Sequence, residues 1–318
     1  MMAVAHDTSR KAENKSRKVR KSNRAVIAFL KNPKAMVGVI IFGFFVLVAL
    51  LAPVLAPYDP QATIFTPLQG PTAAHWLGTT NTGQDILSQF IWGTQTTMIV
   101  GVGAAVVSTI IAILMGVYAG LKGGAIDSAL NAISNIFLVL PGLALLILIE
   151  SYVKNTTPVI NGLIIALTGW AWGARVFRAA SLSLANRDFI VAARLSGAGT
   201  LRIMYAEILP NMTSIIAGNL IYSCLGAILA EAGLAYLGFE NVSSNSWGTI
   251  LFWAQNGGAM MGGAWWWFVP PGIAIALVGT SLTLMNFAVD QITNPRLNVR
   301  KRTAVKSPKK GAMSHVQQ

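Results

Sequence analysis

Charge is scarce in this chain of 318 residues: 11% are Asp, Glu, Lys or Arg, against 54% hydrophobic. A water-soluble domain carries about 25% charged residues, so the composition excludes an ordinary soluble protein and defines an integral membrane one. Cysteine is nearly absent. Cys224 stands alone in an apolar run, which excludes a disulfide framework and any paired-cysteine redox motif. The three histidines, His6, His75 and His315, are scattered, and no His/Cys/carboxylate cluster has metal-ligand spacing. The sequence has no GxxxxGK phosphate loop, no GxSxG elbow and no intramembrane Ser-His pairing. The chain is therefore expected to be non-catalytic, with no metal or cofactor of its own.

The charge that is present has one dominant sign and one dominant side. A net charge of +13 can signal nucleic-acid binding, but here the cations are sorted along the chain. Ten precede the first apolar run and Lys122 lies between the second and third. Arg175, Arg178, Arg187, Arg194 and Arg202 surround the fourth-to-fifth connection, and seven more follow the sixth run. Twenty-three of the twenty-four cations thus share a side, leaving Lys154 opposite with Asp59, Asp85, Glu150 and Glu240. By the positive-inside rule the cation-rich side is cytoplasmic. The expectation is a multi-pass protein of the cell membrane with both termini cytoplasmic, and with no nucleic-acid partner.

Six apolar runs are long enough to cross a bilayer: Ala35 to about Ala56, then segments near Thr97–Gly120, Asp127–Ile149, Val159–Phe177, Met212–Tyr236 and Trp265–Val289. At about 1.5 Å per residue, each matches a hydrocarbon layer of roughly 30 Å. The first lacks a small-x-small cleavage site and is expected to stay as an anchor. The chain then divides into a basic cytoplasmic tail (1–34) and a first span with an outer segment (35–96). A five-helix core (97–295) and a basic cytoplasmic tail (296–318) follow. Within the first tail, residues 25–30 suit a membrane interface. From Tyr58 to Gln95 there is no Lys or Arg at all.

Several residues inside the spans stand out. Pro141-Gly142 is expected to kink or loosen the third span and is a candidate for gating. Gly116 and Gly120 form a small-xxx-small pair suited to helix packing. Asp127 reads as a helix-start residue that complements the helix dipole. Glu231, an ionisable group in a span, is a candidate translocation residue by default. Its place about twenty residues into the fifth span puts it near the outer surface, where a structural hydrogen-bonding role is expected. Trp247, Trp253 and Trp265-Trp266-Trp267 fit an interfacial aromatic belt, or else a surface that stacks a sugar or holds a docked protein.

The stretch between the fourth and fifth spans, residues 186–210, is never apolar long enough to cross. Phe189 to Leu195 holds good helix formers, and Gly197-Ala198-Gly199 suits a helix end. Thr200 can cap a second short helix, in which Leu201, Met204, Tyr205 and Ile208 fall at i, i+3, i+4 and i+7. Pro210 marks the start of the next element. An amphipathic segment of this kind fits an interfacial helix or a loop packed on its own bundle.

A second reading comes from a resemblance. Ala192-Ala193, Gly197 four residues on and Ile208-Leu209-Pro210 resemble the "EAA" loop of ATP-binding-cassette importer permeases, with Val191 where that family usually has Glu. More residues resemble the second, C-type permease of the dipeptide/oligopeptide/nickel branch. They are His75-Trp76-Leu77-Gly78-Thr79, Gly83-Gln84-Asp85, Trp92-Gly93, Gly123-Gly124, Leu140-Pro141-Gly142, Ile228-Leu229-Ala230-Glu231-Ala232 and Asn294-Pro295-Arg296-Leu297. Gln84 and Gln95 replace two arginines of that branch. The resemblance implies an all-α membrane protein with the type I importer permease fold: six transmembrane helices and a cytoplasmic coupling-helix loop that docks on an ATPase. Ala192, Ala193, Arg194, Gly197, Leu201, Met204, Tyr205, Ile208, Leu209 and Pro210 then form that loop. The implied partners are a second permease subunit, two cytosolic ATPase domains that bind the ATP, an extracytoplasmic solute-binding protein and the lipid membrane. Peptides are the implied solute. Oligosaccharides are the alternative within the same machinery, and a six-span secondary transporter or channel is the alternative of another class.

Overall fold

A computed structural model describes residues 29, 31–153 and 157–293, and the regular elements among them are all helices. Most of both basic tails, Lys154, residues 25–28 and the Asn294–Leu297 run lie outside the described residues. The all-α architecture expected from the sequence is therefore what the described residues show. Five helices are long and apolar enough to cross a membrane, and a bent helix pair makes a sixth if it is counted as one span.

Helix α1 (Pro33–Leu50) starts where Asn32 Oδ1 accepts from the Lys34 N–H at 3.0 Å, with Pro33 in the first helical turn. A short α2 (Ala52–Leu55) follows. The outer segment then ends at Asp85, the N-cap of α3 (Ile86–Lys122). Asp85 Oδ2 accepts from the Ser88 N–H at 2.8 Å and from Ser88 Oγ at 2.7 Å, while Oδ1 lies 2.9 Å from His75 Nδ1. That cap corrects the expected boundary at Thr97. Gln89, Thr94, Gln95 and Thr96 dilute the hydropathy of the first turns, but the backbone there is already helical. With 37 residues, α3 is about 55 Å long and exceeds a hydrocarbon layer of about 30 Å.

The third expected span is broken. Helices α4 (Gly124–Val139) and α5 (Gly142–Tyr152) meet at 90° across Leu140-Pro141, so Pro141-Gly142 does more than kink the chain. Pro141 has no N–H to continue α4, and Leu140 is held extended ahead of it. Helix α6 (Pro158–Ala185) runs eight residues past its expected end at Phe177 and carries Arg175 and Arg178 on helical backbone.

Helix α3 packs along α6 and, on another face, against α9 (Thr213–Tyr236); α1 and α9 both pack on α11 (Trp265–Thr293). The α3–α6 approach depends on the small-residue pair. A Cβ at Gly116 would meet the Ala174 carbonyl oxygen at 2.2 Å, and one at Gly120 would meet the Arg178 carbonyl oxygen at 2.9 Å. Arg178 also closes a bidentate ion pair onto Asp127 of α4, Nε to Oδ1 at 2.5 Å and Nη2 to Oδ2 at 2.6 Å. Asp127 does lie in the first turn of α4, but its carboxylate is engaged by Arg178 and caps nothing.

The aromatic belt expected of the tryptophans holds only in part. Trp247 opens a short α10 (Trp247–Asn256) and is fully buried, its Nε1 donating to Thr94 Oγ1 at 3.1 Å; Trp267 is buried as well. Trp253 and Trp265 remain exposed. The difference arises because α10 tucks between α3, α9 and α11 instead of lying outside them.

Cation sorting and the placement of residues 58–85 at the α3 N-terminus, away from 186–210 at its C-terminus, make a joint prediction. Reporters placed within 186–210 and after Gln318 are expected to read cytoplasmic, and one near Pro71 external. A reversal at any of the three would contradict this topology.

Candidate functional site

Residues 186–210 fold as two short helices across a tight break. Helix α7 (Asp188–Leu195) has Asp188 in its first turn and Arg194 in its last, complementing the helix dipole at both ends. It closes in a Schellman turn. The Gly197 N–H donates to the Arg194 carbonyl and the Ala198 N–H to the Ala193 carbonyl, each at 3.0 Å. Gly197 has φ +78, and a Cβ there would meet nothing within 4 Å. The need for glycine is thus one of backbone conformation and not of space.

Helix α8 (Thr200–Ile203) starts at its expected cap, one residue earlier than that cap implies. Gly199 is the N-cap, in extended conformation, and its carbonyl accepts from the Ile203 N–H at 3.0 Å. Thr200 is therefore already helical and caps nothing. The chain then widens into one π-turn (Met204–Ile208) and tightens into a 3-10 turn (Leu209–Asn211) that contains Pro210, just ahead of α9.

The π-turn corrects the expected apolar stripe. With bonds from i to i+5 the helix no longer repeats every 3.6 residues, and the four stripe residues separate onto two faces. Met204 and Ile208 are fully buried, whereas Leu201 is 60% and Tyr205 56% exposed. The inner face includes Ile190, Ile203 and Met212, which the stripe omitted. All five pack with Val117 and Leu121 from the end of α3 and with Phe177 and Ala185 of α6. Ala193, Ala198 and Leu209 are half-buried against the same cluster.

Magnitudes decide what holds this loop. Burying each Ile or Met stabilises by about 1.5–3 kcal/mol. Arg194, exposed, reaches the Leu121 carbonyl only at 3.4 Å, a contact worth about 1 kcal/mol or less. The apolar seat dominates.

The opposite face is solvent-exposed yet apolar. Leu195 is 85% exposed, and Phe189, Val191, Leu201 and Tyr205 are exposed as well, as are Arg187, Ala192 and Arg202. Five exposed large apolar side chains on one short ordered loop make it a candidate interaction surface.

The other sequence candidates sit elsewhere. Gly142 lines an open cavity of about 190 Å³ between helices, together with Leu146, Thr168, Trp172, Tyr222 and Gly226. Pro141 precedes it at the bend. Glu231 does not line this cavity. It is fully buried near the C-terminal end of α9, with Ser246, Thr97 and Glu240 as its polar neighbours. Gln84 Oε1 accepts from Gln89 Nε2 at 2.8 Å, and Gln95 Nε2 donates to the Ala49 carbonyl at 2.9 Å, so both engage the protein's own chain. The Asp127–Arg178 pair escaped sequence reading because its members lie 51 residues apart.

This arrangement, a long-helix bundle with an anchored loop of two short helices, agrees with the family relationships of the sequence. Residues 112–299 match the family described as binding-protein-dependent transport system inner membrane component, and the chain belongs to that family. It is a multi-pass membrane protein. Residues 22–71 match the N-terminal TM domain of oligopeptide transport permease C, which agrees with the C-type resemblance. Similar proteins include the oligopeptide transport system permease protein OppC of Mycobacterium tuberculosis, 36% identical over 66% of this chain and 73% of that protein. The OppC protein of Bacillus subtilis is 32% identical over 71% of this chain and 74% of its own. The di/tripeptide transport system permease protein DppC of Pseudomonas aeruginosa is 33% identical over 85% and 90%. These relationships favour an importer permease over a secondary transporter or channel.

Gly197 provides a direct test of the loop geometry. A β-branched side chain at positive φ costs about 1–3 kcal/mol, whereas Asn tolerates that region. Gly197→Val is expected to speed hydrogen exchange at the amides of residues 197 and 198 by roughly 5- to 150-fold, at about 1.4 kcal/mol per factor of ten. Gly197→Asn should change it little. Equal protection in both variants would show that the left-handed cap does not hold the break.

Proposed function

We propose that this chain is the C-type permease subunit of an ATP-driven, binding-protein-dependent importer of di- and oligopeptides. The observation that carries the reading is the two-sided loop at 188–212: an inner face buried on α3 and α6, and an outer face of Leu195, Leu201 and Tyr205 left apolar in solvent. A surface of that kind suits a groove on a cytosolic ATPase domain. Its seat on two long helices gives the ATPase a lever on the bundle. The relatives named for oligopeptide and di/tripeptide transport support peptides as the solute, and no named relative points to oligosaccharides.

In this reading Ala192, Ala193, Arg194, Gly197, Leu201, Tyr205, Leu209 and Pro210 shape the coupling loop, while Met204 and Ile208 anchor it. ATP is bound by two partner ATPase domains and not by this chain, which itself catalyses nothing. A second permease subunit completes the pathway, and an extracytoplasmic binding protein delivers the solute. Both termini and the loop face the cytoplasm. The bend at Pro141-Gly142 and the cavity beside it are the candidate moving wall. ATP drives the cycle only if it binds one arrangement of the bundle more tightly than the other.

The test is reconstitution. The purified chain alone is expected to hydrolyse no ATP, and ATP-dependent peptide uptake should appear only with the partner permease, the ATPases and the binding protein. Gly197→Val should keep normal membrane abundance while losing ATPase co-purification and uptake. Arg194→Ala should lose little, in keeping with a contact worth about 1 kcal/mol or less. Normal uptake in Gly197→Val, or ATP turnover by the isolated chain after contaminants are removed, would overturn the assignment.

A further inference from the structure

The end of the bundle opposite the coupling loop buries a group of carboxylates. Glu150 of α5, Glu231 of α9, Glu240 just beyond α9 and Asn161 of α6 are each at most 5% exposed. Both oxygens of Glu150 and Asn161 Oδ1 have no hydrogen-bond partner, while the carboxyls of Glu231 and Glu240 lie within reach of a few neutral groups and of each other. Glu231 faces Glu240, Thr97 and Ser246, while Glu240 faces Asn161 and feels the charge of Glu150. Ser244 Oγ also donates to Glu240 Oε1 at 3.5 Å.

Among the described residues no compensating positive charge is at hand. Helices α5, α9 and α10 contain no Lys, Arg or His. The only cation on α3 is Lys122, at the far end from Thr97. The nearest on α6 to Asn161 is Arg175, fourteen residues and about 21 Å along the axis. Nor are the carboxylates grouped as a metal site. Ionised carboxylates crowded in a dry site repel strongly, and unsatisfied buried acceptors are costly. A proton resolves both difficulties. It removes one charge and turns an acceptor oxygen into a donor for a neighbouring carboxylate or for Asn161 Oδ1.

We propose that Glu150, Glu231, Glu240 and Asn161 form a proton-binding site, in which carboxylic protons relieve the crowding of buried charge and tie the segment after α9 to α5 and α6. Burial and then the neighbouring Glu231 push the Glu240 carboxyl up to about 9. A group raised in the folded state contributes stability that is complete below its unfolded value, near 4.5, and lost as pH rises through about 9. The site therefore holds its protons at neutral pH and loosens in alkali. This inference does not depend on which solute is carried.

Infrared spectroscopy of the full-length protein in lipid nanodiscs tests it. At neutral pH a protonated-carboxyl carbonyl band is expected, shifted by deuterium exchange and weakened in Glu231→Gln and in Glu240→Gln. In the wild-type protein the band should vanish, and the melting temperature fall, as pH is raised through about 9. This titration remains decisive even if a Gln variant fails to fold. No band at neutral pH, or a band unchanged in both variants, would overturn the proposal. So would stabilisation by added sodium, potassium, magnesium or calcium chloride in the absence of the band, which would make the ligand a metal cation.

Discussion

The apolar seat of the 188–212 loop is the contact on which the proposed coupling depends. Ile190, Ile203, Met204, Ile208 and Met212 are buried against the ends of α3 and α6, so the loop cannot move without moving the helices beneath it. At about 1.5–3 kcal/mol for each buried apolar side chain, this seat outweighs any single polar contact the loop makes. An exposed loop held only by charges would yield to a docking partner and transmit little. A loop held by its own core transmits displacement, because packed interiors shift as units and do not deform smoothly.

What lies beneath the seat is equally close-packed. Gly116 and Gly120 let α3 approach the backbone of α6 at Ala174 and Arg178, and Arg178 in turn grips Asp127 at the head of α4. From Asp127 the chain runs along α4 to the right-angled bend at Pro141-Gly142, beside the cavity that Gly142 lines. A contiguous set of packed residues thus joins the loop to the bend. Contiguity alone is a structural connection, and it becomes coupling only if both ends bias the same two arrangements of the bundle.

Much of this was legible in the sequence, for identifiable reasons. Long apolar runs and sorted cations declare spans whatever the tertiary structure, and Gly197 announces a left-handed cap because few other residues fit one. The errors have equally local causes. The start of α3 was hidden because Gln89, Thr94 and Thr96 look aqueous, yet they sit on a helix capped by Asp85. The stripe Leu201/Met204/Tyr205/Ile208 assumed a period of 3.6, which the π-turn abolishes. The burial of Trp247 and Trp267 required knowing that α10 folds back among the spans. The Asp127–Arg178 pair and the buried carboxylates of Glu150, Glu231 and Glu240 are tertiary facts, for which no spacing rule gives a signal.

Site-specific photocrosslinking in the assembled importer tests the central claim most directly. With a crosslinker placed singly at Leu201, Tyr205, Met204 and Ile208, the account predicts adducts with the ATPase from Leu201 and Tyr205 only. Those from Met204 and Ile208 should stay within the chain. ATPase adducts from the buried pair, or none from the exposed pair in an importer competent for uptake, would contradict it.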